Sequence, residues 1–460
     1  MSCHCNDFSR TEALRRAAAQ ARGSLRGWEP GMPAPAGTGL DRRQFLFRGA
    51  GLVLSVYGAG KLGLAAFEEG VARAAGPNDP VLVSIFLAGG IDSITVLAPV
   101  GDPRYRSLRP RLAVPDSAGP AFAEDSRLHW HPDAAALAQL HDEGKLTVMP
   151  AIGYDHPDQS HFNSRHFYEV GGLQRKLVTG WMGRYLDRVG SMDNPLQGLS
   201  MDGDLAPALA TARVPVAALT GPEYNFWSPG VWGEVGDWML EAFPSLGSPH
   251  ASSSDPALRA AASTAVQAGR LRQQLLPFDS DGDQPAFTSP VTYPESEGED
   301  FPQRLAALAA MIASGLSIRC VAMTAPGDYD THDSQPDGFG NNLKLAAESL
   351  LAFQRDLEAR GLADRVLVQV WSEFGRRAEE NGSQGTDHGA AGLGMLIGTR
   401  ASGRMVGEFP GLARLDPDGN LRMTSDFRAV YCSLSEQWLN TDAAAVIPDA
   451  SRFGRPALVR

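Results

Sequence analysis

Acidic, hydroxyl and imidazole side chains follow four strand-like segments of this sequence. These segments are short, apolar and bounded by glycine, proline or polar turns, and they cover 81–87, 146–152, 318–324 and 366–371. The chemically active residues that follow them, or that lie in a nearby glycine-rich loop, are Asp92, Ser93, Ser160, His161, Asp328, Asp330, His332, Glu373, Asp387 and His388. Because ligands of an open parallel sheet bind beyond the carboxyl ends of its strands, we expect these side chains to meet at one edge.

Carboxylates that gather in one place repel each other unless a cation neutralises them. Imidazole together with carboxylate suits Zn²⁺, Mn²⁺ or iron, so the sequence predicts a site for a divalent ion, with zinc or manganese preferred. Asp330 and His332 are two residues apart, and their side chains fall on the same side of an extended loop. The alternative is a network of capped turns without a metal, since strand-to-helix loops often hold Asp or Ser as helix caps.

The elements that must position these residues alternate between strands and helices. Two further strand-like runs cover 215–219 and 395–397, and helical patterns cover 133–142, 256–276, 303–314, 341–360 and 425–439. Asp255 and Ser425 are expected N-caps, Pro256 suits the first helical position, and Gly361 is an expected C-cap. The alternation predicts an α/β fold in a single large domain, with a mostly parallel sheet sandwiched by helices.

The chain has 460 residues, of which 43% are hydrophobic, and its formal net charge is −12. This acidity argues against a nucleic acid partner, because phosphate binding needs clustered Lys and Arg. Of the four cysteines, Cys320 and Cys432 lie in apolar runs where a small buried thiol is expected rather than a disulfide. Residues 278–300 are rich in Asp, Ser, Pro and Gly and predict a surface loop or lid.

The amino-terminal part has the order of an export signal. Asp41-Arg42-Arg43-Gln44-Phe45-Leu46 resembles the twin-arginine consensus, a moderately apolar stretch covers 49–67, and Ala72-Arg73-Ala74 offers small residues for cleavage. The apolar stretch is too short and too rich in glycine for a stable membrane span. An amphipathic surface helix that begins with two arginines is the alternative.

The predicted export signal divides the chain into three parts. We expect residues 1–40 to be a disordered extension and 41–75 to be a signal for the twin-arginine translocase. Residues 76–460 are then a domain exported to the periplasm or beyond.

The candidate residues occur in an order that resembles a large bacterial family of twin-arginine-exported proteins, the domain of unknown function 1501 family. The ordered motifs cover the chain from Asp41 onward and are the arginine pair, Gly89-Gly90-Ile91-Asp92, Ser160-His161-Phe162, Gly180-Trp181-Met182-Gly183-Arg184, Asp330-Thr331-His332, Ser372-Glu373-Phe374-Gly375-Arg376, Gly385-Thr386-Asp387-His388-Gly389 and Thr424-Ser425-Asp426-Phe427-Arg428. The family is similar in fold to the alkaline phosphatase and sulfatase superfamily, whose members bind one or two metals beyond the strand ends. The resemblance therefore implies an alkaline-phosphatase-like core.

The resemblance also implies roles for individual residues. The positions that match metal ligands are Asp92, Asp330, His332, His388 and, as a further candidate, Asp328. Ser160, at a helix start beyond a strand, matches the nucleophile. The phosphatases carry an Asp-His pair where this chain has Glu373, so one metal position loses an imidazole. One metal, a different metal, or a site without turnover are all compatible with this change.

The implied activity is metal-assisted hydrolysis of a small phosphate or sulfate ester by an exported enzyme. A metal bound by the matched residues and Glu373 would lower the pKa of Ser160 or of a bound water, and Ser93 is the rival nucleophile. Arg165 or Arg376 would hold the oxygens of the substrate in bidentate fashion.

The imidazole and carboxylate groups next to the predicted ligands have supporting roles in this interpretation. His161 is expected to be a hydrogen-bonding neighbour of the reacting groups, with ligand or base as the alternatives. Asp387 is expected to contribute to the metal site by orienting His388.

The competing prediction is a non-catalytic exported protein that binds a metal or takes part in envelope assembly. The change at Glu373 favours this prediction. Recognition of carbohydrate or another polymer ranks last, since nothing in the sequence marks a sugar site.

Overall fold

The computed structural model describes residues 56–57, 79–115, 119–222, 234–250, 252–278 and 286–460. The twin-arginine motif and Ala72-Arg73-Ala74 lie outside the described residues, as do residues 279–285 of the polar segment. Among the described residues, no helix combines the length and the apolar composition that a membrane crossing requires.

A nine-stranded, mostly parallel sheet forms the centre of the described part. Its strands, in spatial order, are β1 (Val56–Tyr57), β7 (Val216–Ala218), β6 (Gly198–Ser200), β8 (Cys320–Thr324), β2 (Val81–Phe86), β9 (Val366–Trp371), β12 (Gly392–Ile397), β5 (Leu146–Gly153) and β13 (Ser425–Asp426). Strands β1 and β12 run antiparallel to their neighbours, and the other strands run in one direction. Two small sheets pair β3 (Leu97–Ala98) with β4 (His129–Trp130) and β10 (Arg376–Glu380) with β11 (Thr386–His388).

Helices cover both faces of the main sheet. The α-helices of the described part are α1 (Ser93–Val96), α2 (Tyr105–Leu108), α3 (Ala135–Asp142), α4 (His161–Val170), α5 (Trp181–Val189), α6 (Glu234–Gly247), α7 (Pro256–Leu275), α8 (Phe301–Ala313), α9 (Phe339–Ala359) and α10 (Phe427–Ser433). Val83 and Ile85 of β2 belong to one buried cluster with residues of α8 and α9, whereas Leu82 and Phe86 belong to another with residues of α4, α5 and α10. Alternate side chains of a strand point to opposite faces, so both faces of this sheet are packed. The predicted α/β class and mostly parallel sheet are confirmed.

The end of the chain differs from the helix predicted over 425–439. Ser425 pairs with β5 in strand β13, and the carboxylate of Asp426 caps α10 by accepting a hydrogen bond from the backbone N–H of Arg428 at 2.8 Å. The helix continues in π-helical form over Leu434–Trp438. The prediction of Ser425 as the N-cap is therefore wrong, because pairing with β5 makes Ser425 part of the sheet.

Residues 286–300, in the polar segment, contain no helix or strand. The buried carboxylate of Asp356 on α9 accepts hydrogen bonds from Ser289 Oγ and Tyr293 Oη, each at 3.0 Å. Arg360 Nε donates to the same carboxylate at 2.5 Å. This part of the segment is therefore fixed to α9.

The strand registers bring several loops to one edge of the sheet. Phe86 pairs with both Thr324 and Trp371, so β2, β8 and β9 end at the same level. Because β12 is antiparallel, its first residue, Gly392, lies opposite Ile152 near the carboxyl end of β5. The loop before β12 therefore reaches the edge where the loops after β2, β5, β8 and β9 begin.

A buried ion pair fixes the turn that follows β2. The Nη1 and Nη2 atoms of Arg109 lie 2.6 Å and 3.1 Å from the two carboxylate oxygens of Asp92, and both side chains are fully buried. Arg109 also donates to the backbone carbonyls of Ala378 and Arg377 in β10. Burial raises the pKa of Asp92, but the charge and hydrogen bonds of Arg109 outweigh burial and hold this pKa below its ordinary value. The pair thus joins the turn after β2 to the β10–β11 hairpin.

Replacing Arg109 with methionine should strongly destabilise the fold, because the Asp92 carboxylate stays buried without its counter-ion. Removal of one partner of a buried pair typically lowers the free energy of unfolding by about 3–5 kcal/mol. Urea denaturation monitored by circular dichroism would measure this loss. Arg104→Met is the control, because Arg104 is 52% exposed beside Asp102 and such pairs contribute about 0–1 kcal/mol. Similar losses in the two variants would contradict the structural role of the buried pair.

Candidate metal centre

Three side chains at this sheet edge could hold a metal ion. One ligand atom each from His161, Asp330 and His388 lies within 4.8 Å of the other two. The Nε2 atoms of the two histidines are 2.9 Å apart. Asp330 Oδ1 lies 3.4 Å from His161 Nε2 and 3.6 Å from His388 Nε2. Two imidazole nitrogens and one carboxylate oxygen are a suitable donor set for zinc, manganese or iron.

Each of the three ligands reaches the centre from a different element. His161 is the first residue of α4, which follows β5. Asp330 lies in the loop after β8, and His388 is the last residue of β11. His388 reaches this edge because it precedes β12, the antiparallel strand whose amino end lies there. The centre thus depends on one strand that runs against the others.

A pair of glycines allows the loops to approach each other. Gly89 has φ +109°, and a Cβ atom at this position would lie 2.3 Å from the backbone nitrogen of Asp330. Gly90 has φ +69°, and a Cβ atom there would lie 2.3 Å from the ring of Phe374. Any side chain at either position would push the loop after β8 or the Phe374 ring away.

Glu373 orients His161 through Nδ1, the ring nitrogen that is not the candidate ligand atom. Its Oε1 lies 2.7 Å from His161 Nδ1 and accepts a hydrogen bond from the backbone nitrogen of Gly89 at 3.0 Å. Its Oε2 accepts a hydrogen bond from Ser372 Oγ at 3.0 Å. Burial raises the pKa of Glu373, but the hydrogen bond and charge of His161 outweigh it, so this pKa is lowered. Glu373, predicted as a metal ligand, instead contacts the far nitrogen of a ligand.

The backbone carbonyl of Gln159 orients His388 in the same way. His388 Nδ1 donates to this oxygen at 2.8 Å, and a carbonyl can only accept, so Nε2 carries the lone pair when His388 is neutral. The carboxylate of Glu373 likewise holds a proton on Nδ1 of His161. One additional proton on His161 Nε2 then satisfies the 2.9 Å contact between the rings.

Protonation of the two histidines follows from these contacts. Burial lowers the pKa of His161, but its hydrogen bonds to Asp330 and Glu373 outweigh burial and raise this pKa above its ordinary value. Burial lowers the pKa of His388, and the raising effect of Asp330 does not compensate. The proton therefore belongs to His161, at the position where a metal would bind instead.

His332 lies on the solvent side of the three ligands. Its Nε2 is 3.2 Å from Asp330 Oδ1, its Nδ1 is 3.5 Å from Asp387 Oδ1, and its side chain is 25% exposed. Asp387 is half exposed and contacts His332, whereas the sequence predicts that it orients His388. The Nδ1 atom of His388 contacts the Gln159 carbonyl instead. Asp328 is exposed and accepts a hydrogen bond from the backbone nitrogen of Asp330 at 3.0 Å.

Arg376 supplies the permanent positive charge beside Asp330. Its Nη2 lies 2.5 Å from Asp330 Oδ1, and its side chain is fully buried. Its other nitrogens donate to the backbone carbonyls of Gly90 at 2.7 Å and Thr386 at 2.8 Å. Arg376 therefore makes its contacts within the protein, whereas the sequence predicts that it holds the oxygens of a substrate. Arg165, the other predicted clamp, donates from Nε to Glu169 at 2.9 Å.

The remaining predicted residues lie outside the three-ligand group. The Asp92 carboxylate pairs with Arg109, so the structure does not bring this predicted ligand into the centre. Ser93 is buried, and its hydroxyl donates to the carbonyl of Ile91 at 3.3 Å. Ser160 borders the centre, but its hydroxyl caps α4 by accepting from the backbone nitrogen of Asn163 at 3.4 Å.

Sequence reasoning missed the groups that surround these residues. Nothing in the sequence indicated that Arg109 pairs with Asp92 or that the carbonyl of Gln159 holds His388. The sequence predicts His161 mainly as a neighbour of the site. Its position after a strand and beside Ser160 is the signal that could have identified it as a candidate ligand.

The residues present fit a resident metal. Ligating histidines usually donate the far ring nitrogen to a carboxylate or backbone carbonyl, and both histidines here do so. Three protein ligands leave coordination positions open, as in catalytic rather than structural zinc sites.

Glu373→Gln should weaken metal binding about 10–100-fold, because a neutral amide makes His161 a poorer ligand. Competition with a chromophoric zinc chelator would measure this change. Asp356→Asn is the matched control, since it removes another buried carboxylate that lies outside the centre. Unchanged zinc affinity in Glu373→Gln, or an equal loss in Asp356→Asn, would show that Glu373 does not support a metal ligand.

No curated protein matches this chain in sequence. One solved structure is described as "Crystal structure of Ps i-CgsB in complex with k-i-k-neocarrahexaose". It is 9% identical to this chain and has a TM-score of 0.36. The match covers 82% of this chain and 75% of the chain in that structure. The alkaline-phosphatase-like core therefore stays a prediction. Residues 220–432 match the model of the family described as "Protein of unknown function (DUF1501)", which supports the family indicated by the ordered sequence motifs.

Proposed function

We propose that this protein is an exported, metal-dependent hydrolase of phosphate or sulfate esters. The observation that carries the proposal is the centre formed by His161, Asp330 and His388. The Nδ1 atom of each histidine contacts an oxygen acceptor, which leaves Nε2 toward the centre. Zinc or manganese is the proposed metal, because the donors are imidazole and carboxylate.

A divalent metal would supply a Lewis acid that lowers the pKa of a hydroxyl or water and neutralises charge on the transferred group. Ser160 is the proposed nucleophile, because the residues on both sides of it belong to the centre: the Gln159 carbonyl holds His388, and His161 is a ligand. The amino end of α4, which begins at His161, adds partial positive charge that favours an anionic group.

The acidic side chains beside the centre bear on the choice of ester. Asp328 is exposed and Asp387 is half exposed, and each lies within two residues of a ligand in the chain. Their charges disfavour a dianionic phosphate monoester more than a monoanion. Sulfate monoesters and phosphodiesters are therefore the proposed substrates with the highest turnover.

Export rests on the twin-arginine motif at Arg42-Arg43 and the alanines at Ala72-Arg73-Ala74. The twin-arginine translocase is the proposed partner during export, and the periplasm or the exterior is the proposed location. Within the part of the chain that the structure describes, Cys320 and Cys432 are buried free thiols, which fits a protein that folds before export.

A second candidate is a non-catalytic exported protein that binds one metal and acts in the envelope. The contacts of Arg376 favour this non-catalytic candidate, because the arginine that the sequence predicts to bind substrate neutralises Asp330 instead. The Ser160 hydroxyl is likewise used as a helix cap.

The two candidates differ in what the metal-loaded protein does. For a hydrolase, the purified mature protein should contain zinc or manganese and turn over at least one of p-nitrophenyl phosphate, bis-p-nitrophenyl phosphate and p-nitrophenyl sulfate. His388→Ala should lower kcat/KM by more than about 100-fold, since loss of a ligand exceeds the 10–100-fold effects typical of supporting residues. Ser160→Ala should abolish turnover while metal content stays unchanged.

His250→Ala is the control for these variants, because His250 is an exposed histidine at the end of the α6 region. A metal-loaded protein that is inert across the whole panel would favour the non-catalytic candidate. A protein that takes up neither metal would refute the centre on which both candidates rest.

A further inference from the structure

A buried glutamine in the loop after β8 contacts both loops that carry most of the centre. Gln335 is 3% exposed, and its Nε2 donates to Asp92 Oδ2 at 2.8 Å. Its Oε1 accepts hydrogen bonds from Thr331 Oγ1 at 2.8 Å and Thr386 Oγ1 at 3.4 Å. One amide therefore contacts the buried Asp92–Arg109 pair on one side and both loops on the other.

The two threonines are next to the metal-centre residues in the chain. Thr331 lies between Asp330 and His332, and Thr386 is two residues before His388 on the same face of β11. The loops are also joined directly, because the backbone nitrogen of Thr386 donates to the carbonyl of Thr331 at 2.9 Å. A shift of either threonine would therefore move a group of the centre.

The orientation of the Gln335 amide is fixed. Asp92 can only accept, since its carboxylate is ionised beside Arg109, so the amide NH₂ must face it at 2.8 Å. The carbonyl end must then accept from the threonine hydroxyls. A rotated amide would place Oε1 against the carboxylate, which is unfavourable in a buried, low-dielectric environment.

We propose that Gln335 is a positioning residue of the metal centre. Its amide links the buried Asp92–Arg109 pair to the loops of Asp330 and His388 by hydrogen bonds. These bonds keep the ligand atoms of the two loops in reach of His161. This inference rests on the proposed metal site, and it explains why Asp92 follows a strand at the same edge without entering the centre.

The test compares two buried glutamines. Gln335→Met keeps the volume of the side chain and removes its hydrogen bonds. Gln197→Met is the matched control, because Gln197 is 1% exposed, accepts from the backbone nitrogen of Ser191 at 2.6 Å and donates to the carbonyl of Pro215 at 2.9 Å. We expect the zinc dissociation constant to rise about 10-fold or more in Gln335→Met and to stay within about 2-fold in Gln197→Met.

A second measurement needs no metal. Hydrogen exchange of the Thr386 amide, compared with amides of β2 in the same protein, reports whether the loops separate locally. We expect faster exchange at Thr386 in metal-free Gln335→Met and no local change in Gln197→Met. If wild-type protein binds neither zinc nor manganese, the proposed centre fails, and the exchange result alone decides whether Gln335 holds the two loops together.

Thr331→Val provides a variant that removes one of the same hydrogen bonds with a smaller disturbance. If Gln335 acts through Thr331, the losses of zinc affinity in the two single variants should not add in the double variant. Unchanged exchange at Thr386, additive losses, or equal effects of the two glutamine variants on zinc affinity would each overturn the proposal. Should Gln335→Met fail to fold, Thr331→Val carries both measurements, and Thr386→Val carries the measurement of zinc affinity.

Discussion

One carboxylate oxygen, Oδ1 of Asp330, lies within 3.6 Å of nitrogen atoms from three histidines and one arginine. The side chain of Asp330 is 3% exposed, so its negative charge has to be balanced by these neighbours rather than by water. Burial raises the pKa of Asp330, but the three imidazoles and Arg376 outweigh burial, and this pKa lies far below its ordinary value. These nitrogens come from α4, β10, β11 and the loop after β8, so this one oxygen joins four segments of the chain.

The buried acids of this edge differ in the kind of cation that balances them. Both carboxylate oxygens of Asp92 are paired with Arg109, whose guanidinium keeps its proton. Glu373 is paired with His161, and Asp330 with histidines as well as Arg376. An imidazolium can release its proton and then bind a metal through the same nitrogen. The choice of partner thus separates the structural acid Asp92 from the acids that belong to the metal centre.

This difference also shows how much of the site could be predicted from the sequence. The rule that ligands lie beyond parallel strand ends correctly brought Asp330, His332, Glu373 and His161 to one edge. The rule could not tell which of these residues bind a metal, because the partner of each acid depends on tertiary contacts. The contact between Arg109 and Asp92 is one example, and no local sequence pattern indicates it. The fold class followed from the alternation of strands and helices. The sheet neighbours and the antiparallel direction of β12 are set by long-range pairing, and they were not predictable.

Charge balance connects the centre to the kind of group it would bind. With a proton on His161, the carboxylates of Asp330 and Glu373 are matched by an imidazolium and by Arg376. Exchange of that proton for a divalent ion would leave one positive charge in excess among buried groups, where charge is poorly screened. Asp387 is too exposed to compensate it fully. An anionic group that enters from the His332 side would restore neutrality, which is the physical argument in favour of the proposed monoanionic ester.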